Sequence, residues 1–327
     1  MAQRTTRRTF MVGAAAAPLI ASRSFAQSVF PSRPIRIVIG FPPGGGIDIL
    51  ARLIAPKMSA KLGQPLIVEN RPGVNGLIAT QGVAQSEPDG HTIFFGTTGN
   101  LAVNPALYPG KPGMNMERDF MPLSHVASLS FVLVVNPSVE AKSLKELIEL
   151  VKAKPGQMFF GSSGNGGLPH LSGELLNLQA GIHATHVAYR GSAPAITDLI
   201  GGQVQYVFDA LAVAQSHIES GKLRALVTTG PKRMAALPDV PIAKDTLPDF
   251  EVVNWYGMSV RAGTSAEIVT RLSAEVAAAL RQPDVAERAA ALGLELVGST
   301  PEQFGALQRS EIVKWGNVVR TVKIQME

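Results

Sequence analysis

The chain has no cysteine. Disulfides, thiolate metal sites and a cysteine nucleophile are therefore excluded, and stability has to come from packed cores alone. Charge is sparse at 17% of residues, and aromatics make up only 6%. Beyond residue 26, no apolar stretch approaches the roughly 18 residues that a spanning helix needs, so a soluble mature protein is expected. Histidine is scarce as well. The one close pair, His183-x-x-His186, lies in a segment from Ile182 to Tyr189 that reads as extended, where this spacing puts the rings on opposite faces; no metal site is expected.

What the chain has in surplus is positive charge, a formal +5 in 327 residues. Four of those charges, Arg4, Arg7, Arg8 and Arg23, lie before Gln27 with no acid among them, which leaves +1 for the rest. No basic run interleaved with aromatics remains, so nucleic-acid binding is not expected. The first 26 residues read as an export signal, with a basic start, a weakly apolar stretch from Phe10 to Ala21, and Ser24-Phe25-Ala26 as a small-x-small cleavage site. Thr6-Arg7-Arg8-Thr9-Phe10-Met11 is similar to the twin-arginine pattern, and this route is expected over general secretion, with Gln27 the mature N-terminus.

Strand signals alternate with helical ones along the mature chain. Ile35–Ile39 reads as a strand breaking at a Gly/Pro-rich loop, followed by a helix from Ile47 to Leu62 that Pro56 is expected to kink or split. Further strands are read at Leu66–Glu69, Thr92–Phe95, Phe131–Val135, Met158–Phe160, Val204–Phe208 and Leu223–Thr228. Helices open at Ser143-x-x-Glu146, at Pro169, at Thr264-x-x-Glu267 and at Thr300-Pro301. This alternation predicts an α/β architecture with mainly parallel sheets flanked by helices, whose ligand sits beyond the carboxyl ends of strands.

One short phrase occurs twice at such strand ends. Phe94-Phe95-Gly96-Thr97-Thr98-Gly99-Asn100 returns as Phe159-Phe160-Gly161-Ser162-Ser163-Gly164-Asn165. Strands that end in hydroxyls, glycines and Asn expose backbone N–H groups, and two such ends suggest two lobes over one ligand. Pro42-Pro43-Gly44-Gly45-Gly46 before a helix reads as an anion cradle, with a plain turn as the alternative. The dinucleotide fingerprint fails at Ile49, no P-loop follows, and a hydrolase elbow around Ser163 fails because Asn165 replaces its final glycine. His170, at a helix start, is either a neutral donor near the ligand or a satisfied surface histidine. Asp209 either accepts a ligand ammonium or caps the turn that follows. Asp48 and Arg52, four apart, read first as a surface pair with Asp48 capping.

Several segments together resemble the periplasmic solute receptors of tripartite tricarboxylate transporters, often called Bug receptors. They are Phe41-Pro42-Pro43-Gly44-Gly45, Val68-Glu69-Asn70-Arg71-Pro72-Gly73, Pro88-Asp89-Gly90-His91-Thr92, Gly161-Ser162-Ser163-Gly164-Asn165-Gly166, Tyr189-Arg190-Gly191-Ser192-Ala193-Pro194-Ala195 and Asp198-Leu199-Ile200-Gly201-Gly202-Gln203-Val204. The resemblance implies a two-lobed, type II-like periplasmic binding protein with the ligand cleft between its lobes. Residues 27–128 with 250–327 would build lobe 1 and residues 129–249 lobe 2, with crossings near Ala127–Ser130 and Pro248–Asn254. The family grips small carboxylates through two loops, here residues 41–46 and 162–166, largely by backbone groups and ordered water. Ile47 departs from the Thr or Ser common before Asp48, which removes a hydroxyl and hints at a more apolar ligand body. Ala188 stands where Pro often precedes the Tyr.

The expected ligand contacts are, on the first lobe, Phe41, Pro43, Gly44, Gly45, Asp48, Thr97, Thr98 and Asn100. On the second they are Ser162, Ser163, Gly164, Asn165, Gly166, His170, Tyr189 and Asp209. The expectation is a non-catalytic, monomeric receptor without cofactor that binds a dicarboxylate, an aromatic acid or an acidic amino acid in the periplasm and delivers it to a membrane permease. Its rivals are a sensor that signals to a kinase and a hydrolase using Ser163 with His170.

Overall fold

Apolar alternation and glycine punctuation build the first unit. In it β1 (Ile35–Ile39), α1 (Gly46–Leu62), β2 (Leu66–Asn70), α2 (Leu77–Ala84) and β3 (Thr92–Thr97) place β1 between β2 and β3, all parallel. A π-helical turn (Gly99–Val103) and two single-turn helices, α3 (Asn104–Leu107) and α4 (Met116–Asp119), lead into the long strand β4 (Phe120–Val135). The next unit is α5 (Leu144–Ala153), β5 (Phe159–Ser162), α6 (Leu168–Ala180), β6 (Thr185–Ala188), α7 (Ser192–Ile200), β7 (Tyr206–Ala210), α8 (Leu211–Glu219) and β8 (Arg224–Thr228). The chain closes with β9 (Val253–Arg261), α9 (Ala266–Leu280), α10 (Pro283–Ala291), β10 (Glu295–Leu296) and α11 (Pro301–Val322). This computed structural model describes residues 1–2 and 30–324, so residues 3–26 of the expected export segment and the cleavage point lie outside the described residues.

The strands form one path, β2-β1-β3-β9-β4-β7-β5-β6, with β8 and β10 also paired to β4. Its two ends are parallel, as the strand–helix alternation predicts, but every pairing of β4 and β9 is antiparallel. The expected predominance of parallel pairing therefore holds only at the ends. Parallel neighbours need a crossover helix, whereas β4 and β9 run out and back between the ends and oppose what they meet.

From Phe120 to Ser130 β4 pairs with β9, and from Phe131 onward with β7 and β8. Only its second half reads as a strand from sequence. In its first half the register shifts between Pro122 and Ser124 and again between His125 and Ala127, and such bulges scramble the alternation. Where the partners change, Thr229 ties three segments together. Its hydroxyl accepts from the Phe131 N–H at 2.9 Å and donates to the Val252 carbonyl at 2.6 Å, while its backbone bonds to both residues as well. In the second half of β4, Leu133 and Val135 enter a large core, whereas Val132 and Val134 enter a smaller one with Leu199, Val207 and Leu211.

Two helix details differ from expectation. Pro56 does not split α1, which is continuous over 17 residues. The proline lies on the exposed face, so the carbonyl it leaves unpaired meets water, while Leu50, Ile54, Met58 and Leu62 bury the opposite face. The cap of α9 is Ser265, not Thr264: Ser265 accepts from the Ile268 N–H, and Thr264 instead donates to the Arg261 carbonyl at 2.7 Å.

Candidate functional site

Five helices begin at the same place. The residues before α1, α2, α6, α7 and α8, namely Gly45, Gly76, Gly167, Gly191 and Ala210, all line one cleft of about 1010 Å³. None of the five supplies a side-chain cap. The first-turn N–H groups of a helix have no intrahelical partner and form the positive end of its dipole, so this convergence suits a negatively charged ligand group. Local sequence makes it possible. Gly44 adopts φ +92, and a Cβ on Gly76 would come within 2.4 Å of the Asn100 amide nitrogen.

Of the sixteen expected contacts, eight form the cleft wall: Phe41, Pro43, Gly45, Thr97, Ser163, Gly164, Asn165 and Asp209. The other eight are not in the wall, and most act from behind it. Asp48 is buried and accepts from the Gly44 N–H at 2.9 Å, from Asn70 at 2.9 Å and from Arg52, so it is not a surface residue, and it anchors the Pro-Pro-Gly-Gly loop from behind the wall. The same bond commits the Gly44 N–H to Asp48. Burial pushes the Asp48 carboxyl up, but the bonds from Arg52, Gly44 and Asn70 together outweigh it and hold the group below its usual range. Thr98 bridges to β9, accepting from the Trp255 N–H at 2.8 Å. Asn100 accepts from the Thr97 N–H and donates to the Asn75 carbonyl, fixing the loop at 72–76.

The second loop has a brace of its own. The Ser162 hydroxyl, which donates to the Gly164 carbonyl, lies 2.7 Å from Nε2 of His186. The Gly166 N–H donates to Nδ1 of His170 at 3.1 Å, and the His170 and His186 rings stack 3.7 Å apart at 12°. His170 is therefore buried and accepts from the loop, so it is not a surface histidine, and no hydrogen bond joins it to Ser163 among the described residues. Tyr189 donates to Asp198 at 2.8 Å and also stands off the cleft. Asp209 is buried, with Oδ1 accepting from the Ala210 N–H at 2.8 Å and Oδ2 without a hydrogen bond of full geometry among the described residues. Among the described residues no group of three or more His, Cys, Asp or Glu is placed to hold a metal.

Several wall residues were not expected. Val74 and Asn75 carry φ of 48 and 49, left-handed values that are unusual for a valine, and both line the cleft beside Gly73. Pro72-Gly73 punctuation before a helix is the signal that marks them. Arg190, Gly191 and Ser192 form the lip of α7, where a Gly-Ser pair opens a helix just as Gly45-Gly46 opens α1. Leu129, Phe131, Asn254 and Tyr256 come from β4 and β9. No sequence signal marks these four, because a strand pattern does not show which of its residues meets a cleft. The Tyr256 hydroxyl would lie 3.1 Å from a Cβ on Gly46, and burial pushes its phenol up, so it remains a donor.

A model of the tripartite tricarboxylate transporter family receptor matches residues 50–324. The chain belongs to this family. Protein BugT of Bordetella pertussis is 35% identical over 317 residues, covering 96% of this chain and 97% of its own. Among solved structures, Rpa4515 of R. palustris with adipate is 34% identical with a TM-score of 0.79, over 90% of this chain and 99% of that one. MatC of Rhodopseudomonas palustris with bound malate is 33% identical with a TM-score of 0.76, over 89% and 100%. The fold is thus the α/β fold of periplasmic binding proteins, and this receptor is a solute-binding protein, not an enzyme. No helix among the described residues is long and apolar enough to cross a membrane.

Proposed function

We propose that this receptor captures a small organic carboxylate in the periplasm and presents it to the membrane permease of a tripartite tricarboxylate transporter. The observation that carries this reading is the convergence of five uncapped helix N-termini on one cleft. The Tyr256 hydroxyl adds a donor, and Arg190 adds a positive charge to the wall. Solved relatives hold adipate and malate, both carboxylates, which fits the same chemistry.

The chain is exported with residues 1–26 removed and acts as a monomer of two lobes, residues 27–128 with 250–327 and residues 129–249. Ligand binding favours the closed arrangement of these lobes, with bending at the partner change of β4 and at Thr229. Wall groups come from both sides of that change, with Gly45 and Thr97 on one side and Ser163 and Asp209 on the other. Titration calorimetry with a panel of mono- and dicarboxylates tests the reading. Micromolar binding of at least one carboxylate is expected, with a smaller radius of gyration in solution scattering; no binding of any carboxylate sinks it. N-terminal sequencing of the exported protein should begin at Gln27.

A further inference from the structure

Three carboxylates are buried in the described chain, and only two have a cation. Asp48 pairs with Arg52 at 3.0 Å, and Asp119 pairs with Arg118 at 2.7 Å. Hydrogen bonds to these partners hold both groups below their usual range, in spite of burial. Asp209 is only 4% exposed, yet it has no ion pair among the described residues, and among them nothing meets its Oδ2 at full hydrogen-bonding geometry, although the Ser192 hydroxyl lies nearby. Burial pushes its carboxyl up, against the pull of the nearby Ser192 hydroxyl and the Ala210 N–H. An acceptor left this way is costly, and a fold keeps one where something outside the chain completes it. Asp209 lies in the wall of the ligand cleft.

The charges around it narrow what that completing group can be. Among the residues lining the cleft only Arg190 and Asp209 are charged, so the wall presents one positive and one negative side chain. The helix N-termini and Arg190 suit a carboxylate, whereas a second carboxylate at Asp209 would be repelled. A neutral hydroxyl would supply a hydrogen bond but leave the buried charge uncompensated. Around both groups the wall is apolar, with Phe41, Ile47, Leu129, Phe131 and Val213.

We propose that the ligand carries a positively charged nitrogen close to its carboxylate, that it is an amino acid, and that Asp209 is the residue that selects the ammonium. This rests on the carboxylate-receptor reading and narrows it. A charge-assisted hydrogen bond in a partly dry cleft corresponds to a preference on the order of 10- to 100-fold over the same acid without its nitrogen.

Titration calorimetry on the full mature chain with matched pairs tests this: leucine against 4-methylpentanoate, phenylalanine against 3-phenylpropanoate, and glutamate against glutarate. In a pair that binds, the amino acid should bind at least about tenfold more tightly. Asp209→Asn keeps the shape and the acceptor for the Ala210 N–H, and it should shrink that preference to a few-fold. The inference is overturned if the deaminated member binds as tightly in wild-type protein, a comparison that needs no variant. It is also overturned if Asp209→Asn leaves the preference intact. Binding of plain acids alone overturns the amino-acid assignment and spares the carboxylate receptor; no binding by any compound overturns both.

Discussion

Helices that start at the cleft and helices that start elsewhere are finished differently. Away from the cleft, four of six helices, α4, α5, α9 and α11, are capped by the side chains of Asn115, Ser143, Ser265 and Thr300, Thr300 with Gln303 making a full reciprocal box, while α3 and α10 start without a side-chain cap. At the cleft, five helices start from Gly or Ala and have no side-chain cap. A cap contributes about 1 kcal/mol to stability by occupying an orphan N–H. Where that N–H faces the cleft it is left open, and stiffness comes from the rear instead, through Asp48 behind Gly44 and through the histidine pair behind Ser162 and Gly166. Stability and recognition thus compete for the same backbone groups, and position decides which is served.

The strongest way to break this contrast is to cap a cleft helix. Gly45 has φ −75, and a Cβ there would meet nothing within 4 Å, so Gly45→Asp fits. Its carboxylate should occupy the α1 terminus, lowering carboxylate affinity by about 100-fold in calorimetry while raising stability by a few tenths of a kcal/mol. Unchanged affinity would mean that the α1 terminus does not hold the ligand.

Acid should loosen the rear brace next. Burial, and then the neighbouring His170, hold His186 down at about 4 against an ordinary 6.5, with Glu174 pulling the other way. Because the folded value is the lower one, the stability tied to neutral His186 is complete above pH 6.5 and is lost as pH falls from there to about 4. Thermal melts across that window should fall more steeply for wild type than for His186→Asn, and identical slopes would remove the histidine from the brace.

Smaller and opposite in kind is the loss of an outward cap. Thr300→Ala should cost about 1 kcal/mol in denaturant unfolding and leave ligand affinity unchanged, since α11 starts far from the wall. Ser265→Ala should cost less, because the Ser265–Ile268 bond is long at 3.4 Å. A drop in affinity from either substitution would dissolve the distinction between the two sets of termini.

Much of this is legible in the chain. Glycines and prolines after strands marked the loops at 41–46 and 162–166, because punctuation is local. The repeated heptapeptide marked two strand ends, but the copies serve unlike ends: Asn100 is buried and holds the 72–76 loop, while Asn165 is exposed in the cleft wall. Short sequences that differ only by Thr for Ser carry no record of what packs over them. Asp48, Thr98, His170 and Tyr189 read as contacts because they are polar residues beside glycine loops; whether such a side chain points forward or back is set by distant partners such as Asn70, Trp255 and His186. The first half of β4 does not read as a strand for the same reason, its bulges being accommodated by β9 more than a hundred positions later.

The unbroken course of β4 has an inherited cost. One strand of 16 residues sets the pairing frame for both parts of the sheet, so inserting or deleting a single residue near Ser130 would turn one part's inward side chains outward relative to the other's. Neither part can drift alone. Change in such a protein is channelled into the loops at strand ends, and the lineage can exchange what it carries far more easily than it can alter how its frame is joined.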